Sequence, residues 1–214
     1  MTNVIEFNAA PTDEHAPVFK PWPKTPRLNK PIYISEKIDG TNGAIIVTRD
    51  GRVAAQSRNR LITPGKATDN YGFAQWVHEN AGVLRDTLGV GHHYGEWAGK
   101  GIQRGYDLEE RAFFLFNPHW AEEVKRVDRL EVAPQLLITG EFDSFDIAQT
   151  LAALVASGSR VDGKTNPEGI IIYHSASRQV YKLLAEGDQP KGMAGRRDHD
   201  LLPAPVEVAS LVAA

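Results

Sequence analysis

The stretch PIYISEKIDGTNGAIIVTRDGRVAAQS, residues 31–57, predicts three successive β-strands. Ile32 to Glu36 and Ala44 to Thr48 are rich in β-branched side chains, which favour strands. Asp50-Gly51 is a strong hairpin turn signal, so Val53 to Ser57 is expected to return beside the second strand. The first two strands are separated by a short turn that begins with a lysine.

The residues around that lysine, Lys37, are typical of a nucleophilic lysine. A nucleophilic lysine needs a fixed position and backbone room for a phosphate, and the strand end and the glycine turn supply both. Short strings such as Lys-x-Asp-Gly also arise by chance. A surface turn with Asp39-Gly40 at its corner is the alternative, so the motif needs support from elsewhere in the chain.

The rest of the chain combines further strands with a few helices. Strands are predicted at 92–98, 112–117, 135–139, 169–174 and 179–184, and helices at 71–88, at 121–130 and in a segment capped by Asp146. Strands outnumber helices and many are joined as hairpins, so the predicted fold class is α+β with mostly antiparallel sheet. The proline-rich residues 1–30 are predicted to be an irregular lead-in, and residues 191–214 a short C-terminal tail.

Composition narrows the class of protein. The chain has 214 residues, 42% hydrophobic and 24% charged, which fits one domain with a core of normal size. There are no cysteines, which excludes disulfides, thiolate metal sites and a cysteine nucleophile. Residues 1–10 lack a signal-peptide pattern, and no apolar stretch approaches the ~20 residues that cross a bilayer. An intracellular, cytoplasmic protein without a membrane partner is therefore predicted.

Charge is distributed unevenly along the chain. The net charge is −3, yet residues 16–66 contain ten Lys and Arg against three acidic residues. A local basic surface of this kind can hold a polyphosphate or a nucleic-acid backbone. It can equally be a solvated face that is balanced by acidic residues elsewhere in space. Charge alone leaves both interpretations open.

Five further clusters carry chemically useful side chains, in a fixed order along the chain. They are AQSRNR at 55–60, GEWAGKGIQ at 95–103, FFLFN at 113–117, EGIII at 168–172 and VYKLL at 180–184. Together with EKIDGTN at 36–42 they resemble the motifs of the covalent nucleotidyltransferase superfamily, and most closely its RNA ligase 2-like branch. The GEWAGKGIQ string is the most specific match, and the resemblance covers roughly residues 31–184.

The resemblance implies a nucleotidyltransferase (adenylation) domain over residues 31–190, without an appended oligonucleotide-binding barrel. Within it, Lys37 would attack the α-phosphorus of ATP, and Glu36 would help to recognise adenine. Ile38 is implied as a further nucleotide contact, and Asn42 would lie near the sugar or the strand terminus. Arg58 would contact the AMP phosphate or the nucleic-acid end, a role that suits the planar guanidinium fork.

Four more nucleotide-binding positions follow from the same resemblance. Glu96 would accept a hydrogen bond from the ribose hydroxyl, and Phe116 would stack on the adenine base. Glu168 would help to hold the metal or orient the nucleophile. Lys182 would bind the α-phosphate. Lys37, Glu168 and Lys182 are the implied catalytic residues, and no dedicated protein cage for a metal ion is visible in the sequence.

The chain departs from the family pattern on its last strand. Relatives carry a second inward-facing lysine at the position of Leu184, and many carry a lysine at the position of Tyr173. Lys164 and Lys191 are candidates for a compensating cation. This departure is also the best support for a different class of function, a non-catalytic nucleotide- or RNA-binding module.

The implied reaction is RNA ligation through a lysyl-AMP intermediate, with ATP and Mg²⁺ or Mn²⁺ as cofactors. The amine of a free lysine is mostly protonated at neutral pH, so neighbouring cations, Mg²⁺ and Lys182, are expected to favour the neutral nucleophile. The implied partners are RNA ends, in a nicked duplex or a broken strand, with DNA-containing strands as an option. A DNA ligase-like nick-sealing enzyme is the alternative, which the GEWAGKGIQ string and the 32 residues after Lys182 argue against.

Overall fold

The computed structural model describes residues 18–186 and arranges them as two β-sheets flanked by helices. Residues 1–17 of the predicted lead-in, and the predicted tail at 191–214, lie outside the described range. Residues 18–30 form neither helix nor strand. The elements are β1 Ile32–Glu36, β2 Thr41–Val47, β3 Val53–Ser57, β4 Leu61–Ile62, α1 Phe73–Glu79, α2 Ala81–Leu88, β5 Gly91–Gly99, β6 Arg111–Leu115, β7 Leu130–Val132, β8 Gln135–Ile138, α3 Ser144–Ser157, β9 Gly169–His174 and β10 Gln179–Leu184.

The strands form a four-stranded sheet, in the order β10-β9-β1-β8, and a six-stranded sheet, in the order β4-β3-β2-β5-β6-β7. All neighbouring strands are antiparallel except β6 and β7. The predicted α+β class with mostly antiparallel sheets and flanking helices is therefore confirmed. Residues 18–186 contain no oligonucleotide-binding barrel.

No helix in the described part of the chain combines the length and the apolarity needed to cross a membrane.

The chain passes from one sheet to the other between β1 and β2. Lys37 continues the ladder of β1, because its backbone N–H donates to the carbonyl of Gly169 at 2.9 Å. The backbone N–H of Asp39 donates to the hydroxyl of the buried Tyr106 at 2.6 Å. At Gly40 a Cβ atom would lie 2.5 Å from the carbonyl oxygen of Trp97, so only glycine allows β5 to approach this closely.

One face of the six-stranded sheet packs against α1 and α2 around four aromatic rings. The ring of Phe73 lies 4.8 Å from that of Phe113 and 5.5 Å from that of Trp97, and Trp76 lies 5.3 Å from Trp97. All four side chains are buried. Gly95 of β5 makes room for this cluster, since a Cβ atom there would lie 2.7 Å from the Phe113 ring. The opposite face of this sheet is here called the open face. Neither α1 nor α2 packs on it, and the short 3₁₀ helix Gly105–Asp107 covers only its end, where Tyr106 contacts Ala98 and Phe114.

The four-stranded sheet packs its buried isoleucines against α3. The cluster is formed by Ile32 and Ile34 of β1, Ile170 and Ile172 of β9, and Leu154 of α3. A third apolar cluster joins the two sheets where the chain crosses between them. Its members are Ile38, Ala98, Tyr106, Phe114 and Ala133. The crossing is therefore held by packing as well as by hydrogen bonds.

The single helix predicted at 71–88 is two helices, and that prediction was wrong at its centre. Asn80 ends α1, and its side-chain amide donates to the carbonyl of Trp76 at 2.8 Å. An asparagine side chain that bonds to the local backbone competes with continuation of a helix. Apolar residues keep their helical spacing across the break, which explains why the sequence pattern predicts one helix.

Two further helix predictions need correction. The stretch 121–130 contains only a short 3₁₀ turn, Glu123–Arg126, and Leu130 already belongs to β7. Its buried residues Val124, Val127 and Leu130 recur every three positions, which matches the 3₁₀ period. The next helix is capped by Asp143, whose carboxylate accepts from the backbone N–H of Phe145, whereas Asp146 lies in its first turn.

Two glycine substitutions should move stability in opposite directions. In Gly95→Ala the new methyl group would meet the carbonyl oxygen of Phe114 at 2.5 Å, so we expect the free energy of unfolding to fall by about 1–3 kcal/mol. Gly82 lies within α2, and no atom lies within 4 Å of an added Cβ atom. Gly82→Ala should therefore raise the free energy of unfolding by about 0.5–1 kcal/mol. Urea unfolding of both variants measures the difference, and equal midpoints would contradict the packing described for β5.

Candidate active site

The side chain of Lys37 pairs with a carboxylate from the same sheet. Its Nζ donates to Oε2 of Glu168 at 2.5 Å, and both side chains are a little over one-fifth exposed. Glu168 precedes β9, whose first residue, Gly169, accepts the backbone N–H of Lys37. The two residues are 131 positions apart in the chain, and the pairing of β1 with β9 brings them together.

A second carboxylate reaches Lys37 from the six-stranded sheet. Glu96 of β5 is 7% exposed, and its Oε2 accepts from the side-chain amide of Asn42 at 2.7 Å. Burial raises the pKa of Glu96 to about 7, and the negative charge of Glu168 adds to the rise. Lys37, the backbone N–H of Gly40 and Asn42 act in the opposite direction. Lys37, Glu96 and Glu168 therefore form one electrostatic unit that spans both sheets.

Lys182 lies on the same face of the four-stranded sheet as Lys37. It pairs with Ile171, which in turn pairs with Ser35 of β1, two residues before the lysine. Side chains two apart on a strand share a face, so Lys182 and Lys37 both project from the face opposite α3. Leu184 also lies on this face and pairs with Gly169, directly beside the backbone of Lys37. The family position that lacks a lysine is thus next to Lys37.

Two predicted nucleotide contacts lie on the buried side of the crossing. Glu36 is 1% exposed, and its carboxylate accepts from the hydroxyl of Ser159 at 2.5 Å and from the backbone N–H of Arg160 at 2.7 Å. Burial raises the pKa of Glu36, and these two hydrogen bonds partly oppose the rise. Ile38 is 4% exposed within the cluster that joins the sheets. A direct contact from Glu36 to adenine would require it to give up one of these bonds.

The remaining predicted positions lie at the ends of strands in the six-stranded sheet. Phe116 follows β6 and is 45% exposed, and its backbone N–H donates to the carbonyl of Tyr94 at 3.0 Å. It lies two residues beyond Phe114, the partner of Glu96, and so on the same face as Glu96. Arg58 is exposed directly after β3.

Sequence reasoning missed the residues that hold the crossing in place. Nε of Arg104 lies 3.1 Å from Oδ2 of Asp39, and the same guanidinium donates to the carbonyl of Asn166 at 3.1 Å. Tyr106 supplies its hydroxyl to the backbone of Asp39. The only signal in the sequence was proximity, because Arg104 directly follows the GEWAGKGIQ string. Ser159 gave no signal, because its partner Glu36 is 123 positions away.

Carboxylates are the candidate metal ligands among these side chains. Residues 18–186 contain no cluster of three His, Asp or Glu side chains arranged to hold a metal ion. The carboxylate of Glu168 is nevertheless close enough to that of Glu96 to raise the pKa of Glu96. Carboxylate oxygens are ligands that suit Mg²⁺ and Mn²⁺, which in phosphate sites take one or two from the protein and the rest from phosphate and water. The residues present fit a divalent cation of that kind.

Two mostly antiparallel sheets with flanking helices, joined by the crossing at Lys37, have the fold of covalent nucleotidyltransferases. A family model described as RNA ligase matches residues 30–184. The chain therefore belongs to the RNA ligase family, as the resemblance of its motifs predicted. No curated protein matches the chain in sequence.

Solved structures of a Naegleria gruberi RNA ligase share the fold. One variant with ATP and Mn has a TM-score of 0.57 and 16% identity, covering 73% of this chain and 49% of that chain. A variant with AMP and Mn has a TM-score of 0.57 and 16% identity, covering 74% of this chain and 51% of that chain. A third variant, with ATP and Mn, has a TM-score of 0.58 and 15% identity, covering 74% of this chain and 50% of that chain. The chain thus spans about half the length of these Naegleria chains.

The raised pKa of Glu96 predicts a pH-dependent stability difference between the protein and its Glu96→Gln variant. Between pH 4.5, the ordinary value, and about 7, the folded protein holds a proton on Glu96 that the unfolded chain has lost. The free energy of unfolding contributed by Glu96 therefore falls as the pH rises through this window, whereas glutamine has no proton to lose. The variant should gain stability relative to the parent from pH 4.5 to 7, and the difference should level off above.

Urea unfolding at a series of pH values measures this difference. Glu131→Gln, which removes an exposed carboxylate from β7, is the control for the loss of a charge. Parallel stability profiles for the parent and Glu96→Gln would contradict the desolvation of Glu96.

Proposed function

We propose that the protein is an ATP-dependent RNA ligase that carries AMP on Lys37. The observation that supports this most directly is the pairing of Lys37 with Glu168 at the crossing between the sheets, with Glu96 facing the pair from the second sheet. The Lys37 side chain is partly exposed and held by a carboxylate. It suits a nucleophile that must be held in one place and reached by a ligand.

In the first step Nζ of Lys37 attacks the α-phosphorus of ATP. A nitrogen–phosphorus bond forms, the bond to the bridging oxygen breaks, and pyrophosphate leaves. The amine must lose a proton to become a nucleophile. Oε2 of Glu168 already accepts a hydrogen bond from this amine, so it is positioned to receive that proton or to aim the nitrogen.

The nucleoside is held on the open face of the six-stranded sheet. We propose that Glu96 accepts a hydrogen bond from a ribose hydroxyl, with Asn42 orienting its carboxylate and lying near the sugar. Phe116 is exposed on the same face and offers its ring to the adenine. Ile38 and Glu36 line the deep side of the crossing, where Glu36 reaches adenine if it exchanges one of its internal hydrogen bonds.

Two cationic side chains are proposed to bind the phosphates. Lys182 projects from the face that carries Lys37 and is proposed to bind the α-phosphate, and Arg58 to contact the AMP phosphate or the RNA end. Glu168, together with phosphate oxygens, would hold Mg²⁺ or Mn²⁺, which when bound neutralises phosphate charge. Lys164 is paired with Asp107 and so is not a free substitute for the missing lysine, and Lys191 lies outside the described residues.

Two transfers complete the proposed reaction. AMP passes from Lys37 to the 5′-phosphate of an RNA end, and a 3′-hydroxyl then attacks that phosphate and releases AMP. We also propose that residues 31–190 form the catalytic domain, with the lead-in 1–30 and the tail 191–214 outside it. Nicked duplexes, broken single strands and DNA-containing strands are the substrates to compare.

Lys37→Ala should abolish covalent labelling of the protein by ATP. Incubation with α-³²P-labelled ATP and Mg²⁺, followed by a denaturing gel, should label the parent and not the variant, because the acceptor nitrogen is gone. Lys125→Ala is the matched control, since Lys125 is an exposed lysine paired only with Glu122 on the surface. Intact mass before the assay shows whether the purified protein already carries AMP.

A non-catalytic nucleotide- or RNA-binding module is the second candidate, and Leu184 is the observation that favours it. Absence of label on folded, unadenylated protein would support this module and overturn the ligase proposal.

Restoring a lysine beside the nucleophile should accelerate the first step. Leu184 lies on the Lys37 face next to Gly169, so Leu184→Lys adds a cation where the phosphates are proposed to bind. We expect lysyl-AMP formation to rise roughly 5-fold, equivalent to about 1 kcal/mol. Val180→Lys is the control, because Val180 is exposed on the same face but about 13 Å further along β10. Equal rates in the two variants would argue against a phosphate site beside Leu184.

A further inference from the structure

Three ring-bearing residues remain exposed on the open face of the six-stranded sheet. Tyr94 is 55% exposed and Phe116 is 45% exposed, and His92 is exposed beside them. The helices α1 and α2 pack on the other face, and the 3₁₀ helix Gly105–Asp107 contacts this face only at Ala98 and Phe114, beyond Glu96 from Tyr94. Phe116 is already assigned to adenine in the proposed function. His92 and Tyr94 therefore have no role in the proposed first step.

The two rings form a small platform that runs along β5. Their centroids lie 6.1 Å apart with an angle of 20° between the ring planes, so they are close to parallel. Tyr94 is two residues from Glu96 and on the same face, about 6.8 Å along the strand. His92 lies a further two residues away. The platform thus begins beside the ribose site and extends away from it.

The surroundings of Tyr94 leave its ring accessible. Its partner on β2 is Ala44, whose small side chain is buried, and the next residue across, on β3, is Gln56. Arg58 is exposed directly after the end of β3, two residues beyond Gln56. An exposed aromatic ring suits a nucleotide base, and a guanidinium two strands away on the same sheet suits a phosphate further along the same strand.

We infer that Tyr94, extended by His92, stacks a base of the RNA strand next to the joint, one subsite beyond the adenylate. The inference rests on the proposed function, because it assumes that the adenosine is bound beside Glu96 on β5. A single aromatic ring stacks on any base, so this subsite holds the strand without reading its sequence. Tyr94 is then a residue for binding RNA, and it takes no part in forming lysyl-AMP.

The test compares Tyr94→Ala with Tyr181→Ala. Tyr181 is 54% exposed but lies on the other face of the four-stranded sheet from Lys37, so it controls for the loss of an exposed tyrosine. Binding of a fluorescent, 5′-phosphorylated single-stranded RNA is measured by anisotropy without ATP. Tyr94→Ala should weaken binding roughly 5- to 150-fold, the range for losing one stacked base, and Tyr94→Phe should restore it. Tyr181→Ala should bind as the parent does.

An abasic scan of the RNA identifies the stacked base. At one position near the 5′ end, removal of the base should weaken binding to the parent and leave binding to Tyr94→Ala unchanged. Equal binding by the parent and Tyr94→Ala, or an equal effect of every abasic position on both, would overturn the inference.

Lysyl-AMP formation without RNA separates the two proposals. A rise in the KM for ATP in Tyr94→Ala as large as the loss in RNA binding would make Tyr94 part of the adenine site and overturn the inference. Absence of lysyl-AMP in the parent would count against the proposed function, and the anisotropy result would still decide on Tyr94.

Discussion

The passage of one chain between two sheets is the constraint on which the rest of the structure depends. Between β1 and β2 only residues 37–40 are available to leave one ladder and enter another. Their backbone is held by the carbonyl of Gly169 on one side and by the hydroxyl of Tyr106 on the other. Gly40 is pressed against the backbone of β5, where no side chain fits. Lys37 is therefore positioned by the covalent path of the chain, and its location needs no flexible loop.

Charge balance at this crossing follows from the same topology. Glu168 comes from the sheet that Lys37 leaves, and Glu96 from the sheet that the chain enters. Two carboxylates near one ammonium leave an excess of negative charge, and the buried member, Glu96, has the raised pKa. Carboxylates in this arrangement suit a cation or a hydrogen-bond donor such as a sugar hydroxyl. This chemistry is the basis of the nucleotide and metal roles proposed for Glu96 and Glu168.

Sequence patterns predicted the local elements of the fold, such as strands and turns, and missed contacts between residues that are far apart in the chain. Most strands, the hairpin at Asp50-Gly51 and the α+β class follow from β-branched residues and turn chemistry within a few positions. The family resemblance supplied Lys37, Glu96 and Glu168 as neighbours, which spacing alone does not provide. The break at Asn80 and the short turn at 123–126 were missed, because apolar spacing continues through both. The bond from Ser159 to Glu36 joins residues 123 positions apart and leaves no pattern in either segment.

Two adjacent residues at the end of β1 project to opposite faces of the four-stranded sheet. Because side chains alternate along the strand and Lys37 continues its ladder, Glu36 points into the protein while Lys37 points to the face opposite α3. Burying a carboxylate is unfavourable unless its oxygens are bonded, and Ser159 and the backbone of Arg160 meet that need. These bonds fix the register of β1, since a slip by one residue would bury the lysine and expose the glutamate. The hydrogen bonds that stabilise Glu36 thus also keep Lys37 on the opposite face, where the proposed reaction requires it.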